Sequence, residues 1–210
     1  MSHRILLADD HIVVRQGLKF LLEREGFRIV GEASDGLQAV ELSRELVPDV
    51  AVLDLGMPNL NGIGAAREII RANSRTKAVL LTMHTGDEYV LEALRAGIRG
   101  YVLKSRAATE LIEAIREVSK GLVFLSPGVS QTVVEGYLGK KEMPKEPLTS
   151  RELQVLQLVA EGRSTKVVAS LLGISFKTAE SHRTRIMTKL GIHETAGLVR
   201  YAIRRGLIQP

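Results

Sequence analysis

Acidic residues follow two of the apolar runs in the first half of the chain, and a hydroxyl and an ammonium group follow two others. Asp9 and Asp10 come after the first run, Asp54 after the third, Thr82 after the fourth and Lys104 after the fifth. The carboxyl ends of parallel strands meet at one edge of a sheet, where ligands bind. If the runs are such strands, we expect the five side chains to converge.

Three carboxylates in one place repel one another, and a hard divalent cation with oxygen ligands relieves that repulsion. Mg²⁺ suits such a place, because it takes one or two carboxylates, keeps several waters and binds phosphate oxygens. A hydroxyl and an ammonium group beside them can orient and neutralise a transferred phosphoryl group. A carboxylate can also be the nucleophile and form an aspartyl-phosphate. The pattern therefore indicates Mg²⁺-dependent phosphoryl transfer.

The elements that must position these residues alternate along the first 120 residues. Short apolar, partly β-branched runs are separated by stretches with the apolar spacing of helices, and these stretches end at glycine or proline. Such alternation predicts a parallel sheet covered by helices on both faces, an α/β, doubly wound (βα)5 fold. The predicted strands are Ile5–Ala8, Ile29–Val30, Val50–Leu53, Ala78–Leu81 and Tyr101–Leu103.

The pattern weakens after Gly121 and becomes purely helical towards the end of the chain. Prolines and a polar run predict a linker with one short helix near 129–137. Thr149 and Glu152 then form a capping-box pattern at the start of a helix. Short helices joined by tight glycine turns follow, which is typical of a helix-turn-helix. We predict three parts: residues 1–121, a linker at 122–147 and a small all-α domain at 148–210.

Charge and composition narrow the function classes. The 210 residues carry a net charge of +5, which divides into −1 for residues 1–120 and +6 for residues 148–210. A neutral front and a basic end indicate a sensing or catalytic module joined to a polyanion binder. The chain has no cysteine, which excludes disulfides, thiolate metal sites and a cysteine nucleophile. Without a signal peptide or an apolar run long enough for a membrane span, we expect a cytoplasmic protein.

The helix after Ser175 concentrates the candidate nucleic-acid contacts. Its predicted inner face carries Ala179, His182 and Ile186, whereas its outer face mixes hydroxyls and cations with one acid. Short hydroxyls flanked by cations suit base edges and phosphates. Long, flexible cations suit the phosphate backbone itself. The candidate phosphate contacts are Lys166, Lys177, Arg183 and Arg185, and the remaining outer-face residues include Glu180, Ser181 and Thr184.

These residues carry two family resemblances, which together cover nearly the whole chain. The first 120 residues resemble the receiver domain of two-component response regulators. The match begins at Asp9-Asp10 and continues at Asp54 within Asp-Leu-Gly-Met-Pro-Asn-Leu-Asn-Gly. It also includes a hydroxyl, a tyrosine and a lysine later in the chain. Pro58 and Gly62 stand at the family's spacing after the acceptor, and the later positions are Thr82, Tyr101 and Lys104 before Ser105.

The receiver resemblance implies a role for each of these positions. Asp54 would be phosphorylated by a histidine kinase. Mg²⁺ would be held by Asp10, Asp54 and the backbone carbonyl of Gly56, with Asp9 contacting it through water. Lys104 would pair with the phosphate. Thr82 would move towards the phosphate and Tyr101 would swing inward, so that a local change of charge alters a distant surface.

Residues 148–192 resemble the LuxR-type helix-turn-helix of the NarL/FixJ regulators. The match begins at Leu-Thr-Ser-Arg-Glu-Leu, continues through Leu-Gly-Ile-Ser-Phe-Lys-Thr-Ala-Glu-Ser-His and ends at Lys-Leu-Gly-Ile. It implies that the residues after the Thr178–Ala179 step face the major groove of DNA, and His182 matches the family's histidine. Two departures are Ala179, where valine is usual, and Glu180, which either reads a cytosine amino group or points away.

We therefore expect a DNA-binding response regulator that is phosphorylated on Asp54, dimerises and binds two half-sites of promoter DNA. The last helix, near Thr195–Arg205, is implied to contribute to the dimer contact. Two alternatives stay open at this point. One is a regulator of the same fold without phosphorylation. The other is a Mg²⁺-dependent phosphohydrolase, which would resemble the haloacid dehalogenase class but lacks its second acid, since Gly56 stands there.

Overall fold

The computed structural model describes residues 2–84, 86–129 and 147–208. Strands and helices alternate in the N-terminal part as the spacing predicts, and every predicted strand is present. The strands are β1 (Arg4–Ala8), β2 (Arg28–Ala33), β3 (Val50–Asp54), β4 (Lys77–Thr82), β5 (Gly100–Leu103) and β6 (Phe124–Leu125). The helices are α1 (Ile12–Arg24), α2 (Gly36–Leu46), α3 (Gly62–Ala72), α4 (Asp87–Arg95) and α5 (Ala107–Ser119), with a short 3-10 helix at Lys104–Arg106.

The strands form one parallel sheet in the order β2-β1-β3-β4-β5-β6. Side chains of β1 alternate between the two faces. Ile5 and Leu7 pack with α1 and α5, whereas Leu6 and Ala8 pack with α2, α3 and α4. Both faces of the sheet are therefore buried, which explains why its strands read as continuous apolar runs. The predicted doubly wound α/β fold is confirmed.

The strand β6 is the element that the sequence analysis did not foresee. The chain turns at Gly121 and pairs Phe124 and Leu125 with the outer edge of β5. The hydroxyl of Ser126 donates to the carboxylate of Glu110 and accepts from the backbone N–H of Leu103. Part of the predicted linker is thus attached to the parallel sheet. The predicted helix near 129–137 lies outside the described residues apart from its first position.

Four helices make up the described C-terminal part, again as predicted. They are α6 (Ser150–Ala160), α7 (Thr165–Leu171), α8 (Phe176–Leu190) and α9 (Thr195–Arg204). Ser164 and Ser175 cap α7 and α8 with their hydroxyls. Gly191 ends α8 in the left-handed conformation that glycine adopts without strain. Within the described ranges, no helix is long and apolar enough to cross a bilayer.

The predicted capping box at the start of α6 is present and is tied to α8. The side chain of Thr149 accepts from the N–H of Glu152, and the Glu152 carboxylate accepts from the N–H of Thr149. Lys189 also lies 2.7 Å from this carboxylate. Burial acts to raise the pKa of Glu152, but the bonds from Lys189 and Thr149 outweigh it and bring the pKa to about 2.

This carboxylate should make the stability of the helical domain depend on pH. Its lowered pKa stabilises the fold fully above its ordinary value of 4.5, and this stabilisation is lost as the pH falls towards about 2. We expect Glu152→Gln to lower the free energy of unfolding at pH 7 by about 1–2 kcal/mol. Denaturant unfolding at pH 7 and pH 3 measures this. An equal loss for wild type and variant between the two pH values would contradict the assignment.

Candidate acidic pocket and nucleic-acid interface

The five polar side chains that follow the strands converge at one edge of the sheet. Asp9 and Asp10 follow β1, Asp54 ends β3, Thr82 ends β4 and Lys104 follows β5. The Lys104 ammonium lies 2.9 Å from a carboxylate oxygen of Asp9 and 2.8 Å from one of Asp54. Asp9, Asp54 and Thr82 are buried, while Asp10 is exposed at the mouth. The structure thus assembles the predicted pocket from four strands.

Burial and charge set the protonation of the pocket. Burial raises the pKa of Asp54, and the neighbouring carboxylates of Asp9 and Asp10 add to this, while Lys104 acts in the opposite direction. Burial alone would lower the pKa of Lys104, but its contacts with Asp54 and Asp9 raise it above its ordinary value. Lys104 therefore stays protonated at neutral pH and is the cation that holds the two carboxylates together.

The donor set of the pocket fits a hard divalent cation. Oxygen atoms of Asp9, Asp10 and Asp54 lie within 4.8 Å of one another, together with a ring nitrogen of His11. One oxygen of Asp54, Oδ2, is buried without a hydrogen-bond partner. A buried carboxylate oxygen without a partner is costly, and a bound cation or a new covalent bond removes that cost. These oxygen ligands suit the Mg²⁺ ion that the receiver resemblance implies.

His11 belongs to this cluster, although the sequence analysis did not single it out. Its backbone N–H donates to Asp9 at 2.9 Å, and its Nδ1 lies 2.7 Å from a carboxylate oxygen of Asp10. The only feature of the sequence that could have indicated this role of His11 is its position directly after the two aspartates. The contact with Asp10 orients the one exposed carboxylate of the pocket.

Thr82 and Tyr101 meet at the loop after β4. The Thr82 hydroxyl accepts from the N–H of His84 at 3.0 Å, and the Tyr101 hydroxyl donates to the carbonyl of His84 at 2.8 Å. Tyr101 is fully buried, and burial raises its pKa far above the ordinary value. Tyr101 therefore points inward in this structure. The ring of His84 in turn contacts the ring of Tyr89 on α4.

Gly62 stands where α3 begins, directly against the acceptor strand. Its N–H donates to the carbonyl of Leu55, and a Cβ at this position would lie 2.2 Å from the backbone oxygen of Asp54. Only glycine allows this approach, because a side-chain atom would push the Asp54 backbone away. The spacing between Asp54 and Gly62 thus has a steric cause.

We expect Gly62→Ala to destabilise the α/β domain by about 1–3 kcal/mol, as overpacking typically does. Gly17→Ala is the matched control, since Gly17 lies within α1 and a Cβ there meets nothing within 4 Å. That control should leave stability unchanged or raise it by up to about 1 kcal/mol. Thermal unfolding of both variants measures the difference. A Gly62→Ala variant as stable as wild type would show that the close approach is not required.

The outer face of α8 is the candidate nucleic-acid interface. Ala179 and Ile186 are buried against the other helices, which confirms the predicted inner face. Arg183 and His182 are half-buried at its margin. The exposed residues are Lys177, Thr178, Glu180, Ser181, Thr184 and Arg185 on α8, with Lys166 on α7.

Three of these residues differ in how they are bonded within the domain. Arg183 donates to the hydroxyl of Thr195 at 2.8 Å. The Thr184 hydroxyl donates to the carbonyl of Glu180, which leaves its oxygen free to accept a further bond. The Nδ1 atom of His182 is buried without a hydrogen-bond partner. Lys177 and Arg185 point to solvent, where they are available to a polyanion.

Comparisons with known proteins agree with the fold and with both family resemblances. Residues 5–116 match the family model of the response regulator receiver domain, and residues 146–202 match that of the bacterial regulatory proteins of the luxR family. The chain is 39% identical over 208 residues to the transcriptional regulatory protein LiaR of Bacillus subtilis (strain 168), covering 98% of this chain and 99% of LiaR. It is 36% identical over 215 residues to the oxygen regulatory protein NreC of Staphylococcus aureus (strain JH9), with 98% and 99% covered.

A solved structure of similar fold covers nearly the full length of the chain. It is RcsB from Salmonella enterica serovar Typhimurium bound to promoter P1flhDC in the presence of phosphomimetic BeF3−, with 29% identity, a TM-score of 0.64, and 96% of this chain and 98% of RcsB covered. The chain therefore belongs to the DNA-binding response regulators of two-component systems. Within them it is a transcriptional regulator of the NarL/LiaR type, with a receiver domain followed by a LuxR-type helix-turn-helix domain. Because this family consists of regulators and not enzymes, the phosphohydrolase alternative is set aside.

Proposed function

We propose that Asp54 accepts a phosphoryl group from a histidine kinase and that this controls dimerisation and promoter binding. The observation that carries the proposal is the buried Asp54 carboxylate, with Lys104 at 2.8 Å from one oxygen and the other oxygen without a partner. In the transfer, this free oxygen forms the new P–O bond while the P–N bond of the phosphohistidine breaks. The electron pair of the broken bond returns to the imidazole nitrogen of the kinase.

The residues around Asp54 have different roles in this step. We infer that Mg²⁺ is held by Asp10, Asp54 and the carbonyl of Gly56, with Asp9 contacting it through water; when bound, it neutralises charge on the phosphoryl oxygens. Lys104 is placed to pair with the phosphate, since it already lies between Asp9 and Asp54. Thr82 supplies a buried hydroxyl next to the loop that Tyr101 contacts.

We propose the division of the chain that the sequence predicts: the receiver at 1–121, the linker at 122–147 and the DNA-binding domain at 148–210. The strand β6 is then the part of the linker that is attached to the receiver. On α8, Thr178, Glu180, Ser181, His182 and Thr184 would face the major groove. The phosphate contacts would come from Lys166, Lys177, Arg183 and Arg185, whose long cations suit the phosphate backbone.

The phospho-switch can be tested with a small phosphodonor or beryllofluoride in the presence of Mg²⁺. We expect the mass in solution to rise from monomer to dimer and the affinity for an operator, recovered by genome-wide binding, to increase. Asp54→Ala should show neither change. An identical response in Asp54→Ala, or none in wild type, would favour a regulator that works without phosphorylation.

The dimer would form through α1 and α5, where an apolar surface is exposed. Val13 is 81% exposed, and Met83, which lines the same groove, is 70% exposed. The edge of β5, in contrast, is already covered by β6. Exposed apolar patches of this kind mark interaction sites.

We expect Val13→Glu to weaken the beryllofluoride-induced dimer by about tenfold or more, because a charge would be buried in the contact. Val123→Glu changes an exposed valine outside this groove and serves as the control. Sedimentation of both variants with and without beryllofluoride measures dimerisation. Unimpaired dimerisation of Val13→Glu would move the dimer contact to another face.

A further inference from the structure

His11 stands at the N-cap position of α1, but its side chain does not cap the helix. Its backbone is extended, as at other helix starts, yet its side chain accepts no hydrogen bond from the first turn. Asp35 and Asn61, at the same position of α2 and α3, each accept such a bond. Short polar side chains are favoured there for this reason. The side chain of His11 therefore has a contact elsewhere that sets its position.

The imidazole of His11 faces two carboxylates of the acidic pocket. Its Nδ1 lies 2.7 Å from Oδ1 of Asp10 and 3.4 Å from Oδ1 of Asp9. In an octahedral site with metal–ligand distances of about 2.0–2.1 Å, neighbouring ligand atoms are about 3 Å apart. The two distances lie on either side of this value. The nitrogen and the two oxygens are thus spaced like neighbouring ligands of one ion.

Asp54 supplies an independent sign that an ion belongs at this place. Lys104 pairs with Oδ1 of Asp54 and with Oδ2 of Asp9. The other oxygen of Asp54, Oδ2, is buried without a hydrogen-bond partner, on a residue that is 3% exposed. Ligand atoms of Asp9, Asp10, His11 and Asp54 all lie within 4.8 Å of one another. A single ion can therefore contact the imidazole nitrogen and the unpartnered oxygen together.

The nitrogen ligand lies on the open side of the pocket. The side chain of His11 is 55% exposed and that of Asp10 is 31% exposed, whereas Asp9 and Asp54 are buried behind them. An ion that enters from solvent therefore passes the imidazole first. Among the described residues, this is the one group of three or more potential ligand side chains close enough to share an ion. The chain also has no cysteine that could compete for a transition metal.

We propose that His11 is a metal ligand through Nδ1, and that the pocket binds a divalent first-row transition ion such as Co²⁺ in preference to Mg²⁺. This rests on the proposed metal site at Asp10 and Asp54. Carboxylates, carbonyls and water suit Mg²⁺, whereas imidazole is a ligand of transition ions. An imidazole beside the carboxylates therefore stabilises a bound transition ion more than it stabilises bound Mg²⁺. His11 is the residue that determines which ion the pocket prefers.

The test compares two exposed histidines in the full chain, prepared without a histidine tag. His11→Ala removes the proposed ligand, and His193→Ala is the matched control, since His193 is exposed between α8 and α9 and outside the ligand group. Calorimetric titration with Co²⁺ and, separately, with Mg²⁺ at one fixed pH gives both affinities. Proton NMR of the Co²⁺-loaded protein reports the ligand directly, because a bound imidazole gives a strongly shifted N–H signal that disappears in D₂O.

We expect wild type to bind Co²⁺ at least about tenfold more tightly than Mg²⁺ and to show one shifted N–H signal. His11→Ala should lose this signal and bind Co²⁺ at least about tenfold more weakly, since even the loss of a group that only supports a ligand typically costs this much. Its Mg²⁺ affinity should fall by less than about threefold, because water replaces the nitrogen. His193→Ala should match wild type. His11→Asn should behave like His11→Ala, although asparagine is favoured at a helix start and preserves α1.

Three outcomes would overturn the ligand role of His11 and leave the metal site itself in place. These are equal affinities of wild type for the two ions, an equal loss of both affinities in His11→Ala, and no shifted N–H signal in Co²⁺-loaded wild type. The second of them would show that His11 only orients Asp10. If neither ion binds, or if Asp10→Asn leaves both affinities unchanged, the proposed metal site fails and the role of His11 with it.

Discussion

Replacing Lys104 with alanine is expected to slow the phosphorylation of Asp54 by about a hundredfold. Lys104 is the half-buried cation that lies within 3 Å of both Asp9 and Asp54, so it is placed to neutralise charge that develops on the phosphoryl group. Loss of one preorganised donor of this kind typically lowers a rate by about 10²–10³. The initial rate with acetyl phosphate and Mg²⁺, separated by gel shift, measures the effect.

The loss of Lys104 also changes the nucleophile. Lys104 is the neighbour that lowers the pKa of Asp54, whereas burial and the other two carboxylates raise it. Without the ammonium group, a larger fraction of Asp54 is protonated at a given pH, and the variant should require a higher pH for the same rate. Lys120→Ala is the control, since Lys120 pairs with Glu117 on the surface of the receiver. Equal rates for the two variants would remove Lys104 from the mechanism.

The double substitution Lys177→Ala, Arg185→Ala should weaken binding to DNA of any sequence. Both residues are exposed on α8, and each DNA phosphate that they neutralise releases counterions from the duplex. We expect the slope of log K against log salt concentration to become shallower by about 0.9 for each phosphate that the variant no longer neutralises. Titration of a mixed-sequence duplex at several salt concentrations gives both the affinity and the slope.

A matched control separates specific contacts from net charge. The double substitution Arg24→Ala, Lys120→Ala also removes two positive charges, but from exposed positions of the receiver. If only total charge mattered, the two double variants would bind DNA equally. If the slope of log K against log salt concentration were unchanged in the α8 variant, the phosphate contacts would lie elsewhere on the domain.

The acidic pocket could be predicted from the sequence because parallel strands impose a simple rule. Residues at the carboxyl ends of such strands meet at one edge, so Asp54 and Lys104 come together although fifty positions separate them. The inner face of α8 was predictable for a similar reason. A helix has a fixed period, and Ala179 and Ile186 fall on the same side of it as buried residues must.

The features that escaped the sequence analysis lack such a rule. A strand as short as β6 has no periodic pattern, and its proline neighbour at position 127 favoured a linker. The bonds that Gln157 and Glu161 accept from backbone N–H groups of the loop after Asp54 join residues about a hundred positions apart. These bonds use backbone groups that nearly every residue carries, so no pair of residue types in the sequence predicts them. Only the arrangement of the two domains in space reveals this contact.

The attachment of β6 also limits how far the two domains can separate. With Phe124 and Leu125 bonded to the receiver sheet and Val129 buried beside it, the linker as far as residue 129 stays with the receiver. A short connection keeps each domain at an effective concentration of the order of millimolar near the other. The few hydrogen bonds between the domains would be too weak to hold two separate molecules together. At this effective concentration, they are enough to hold two domains of one chain together.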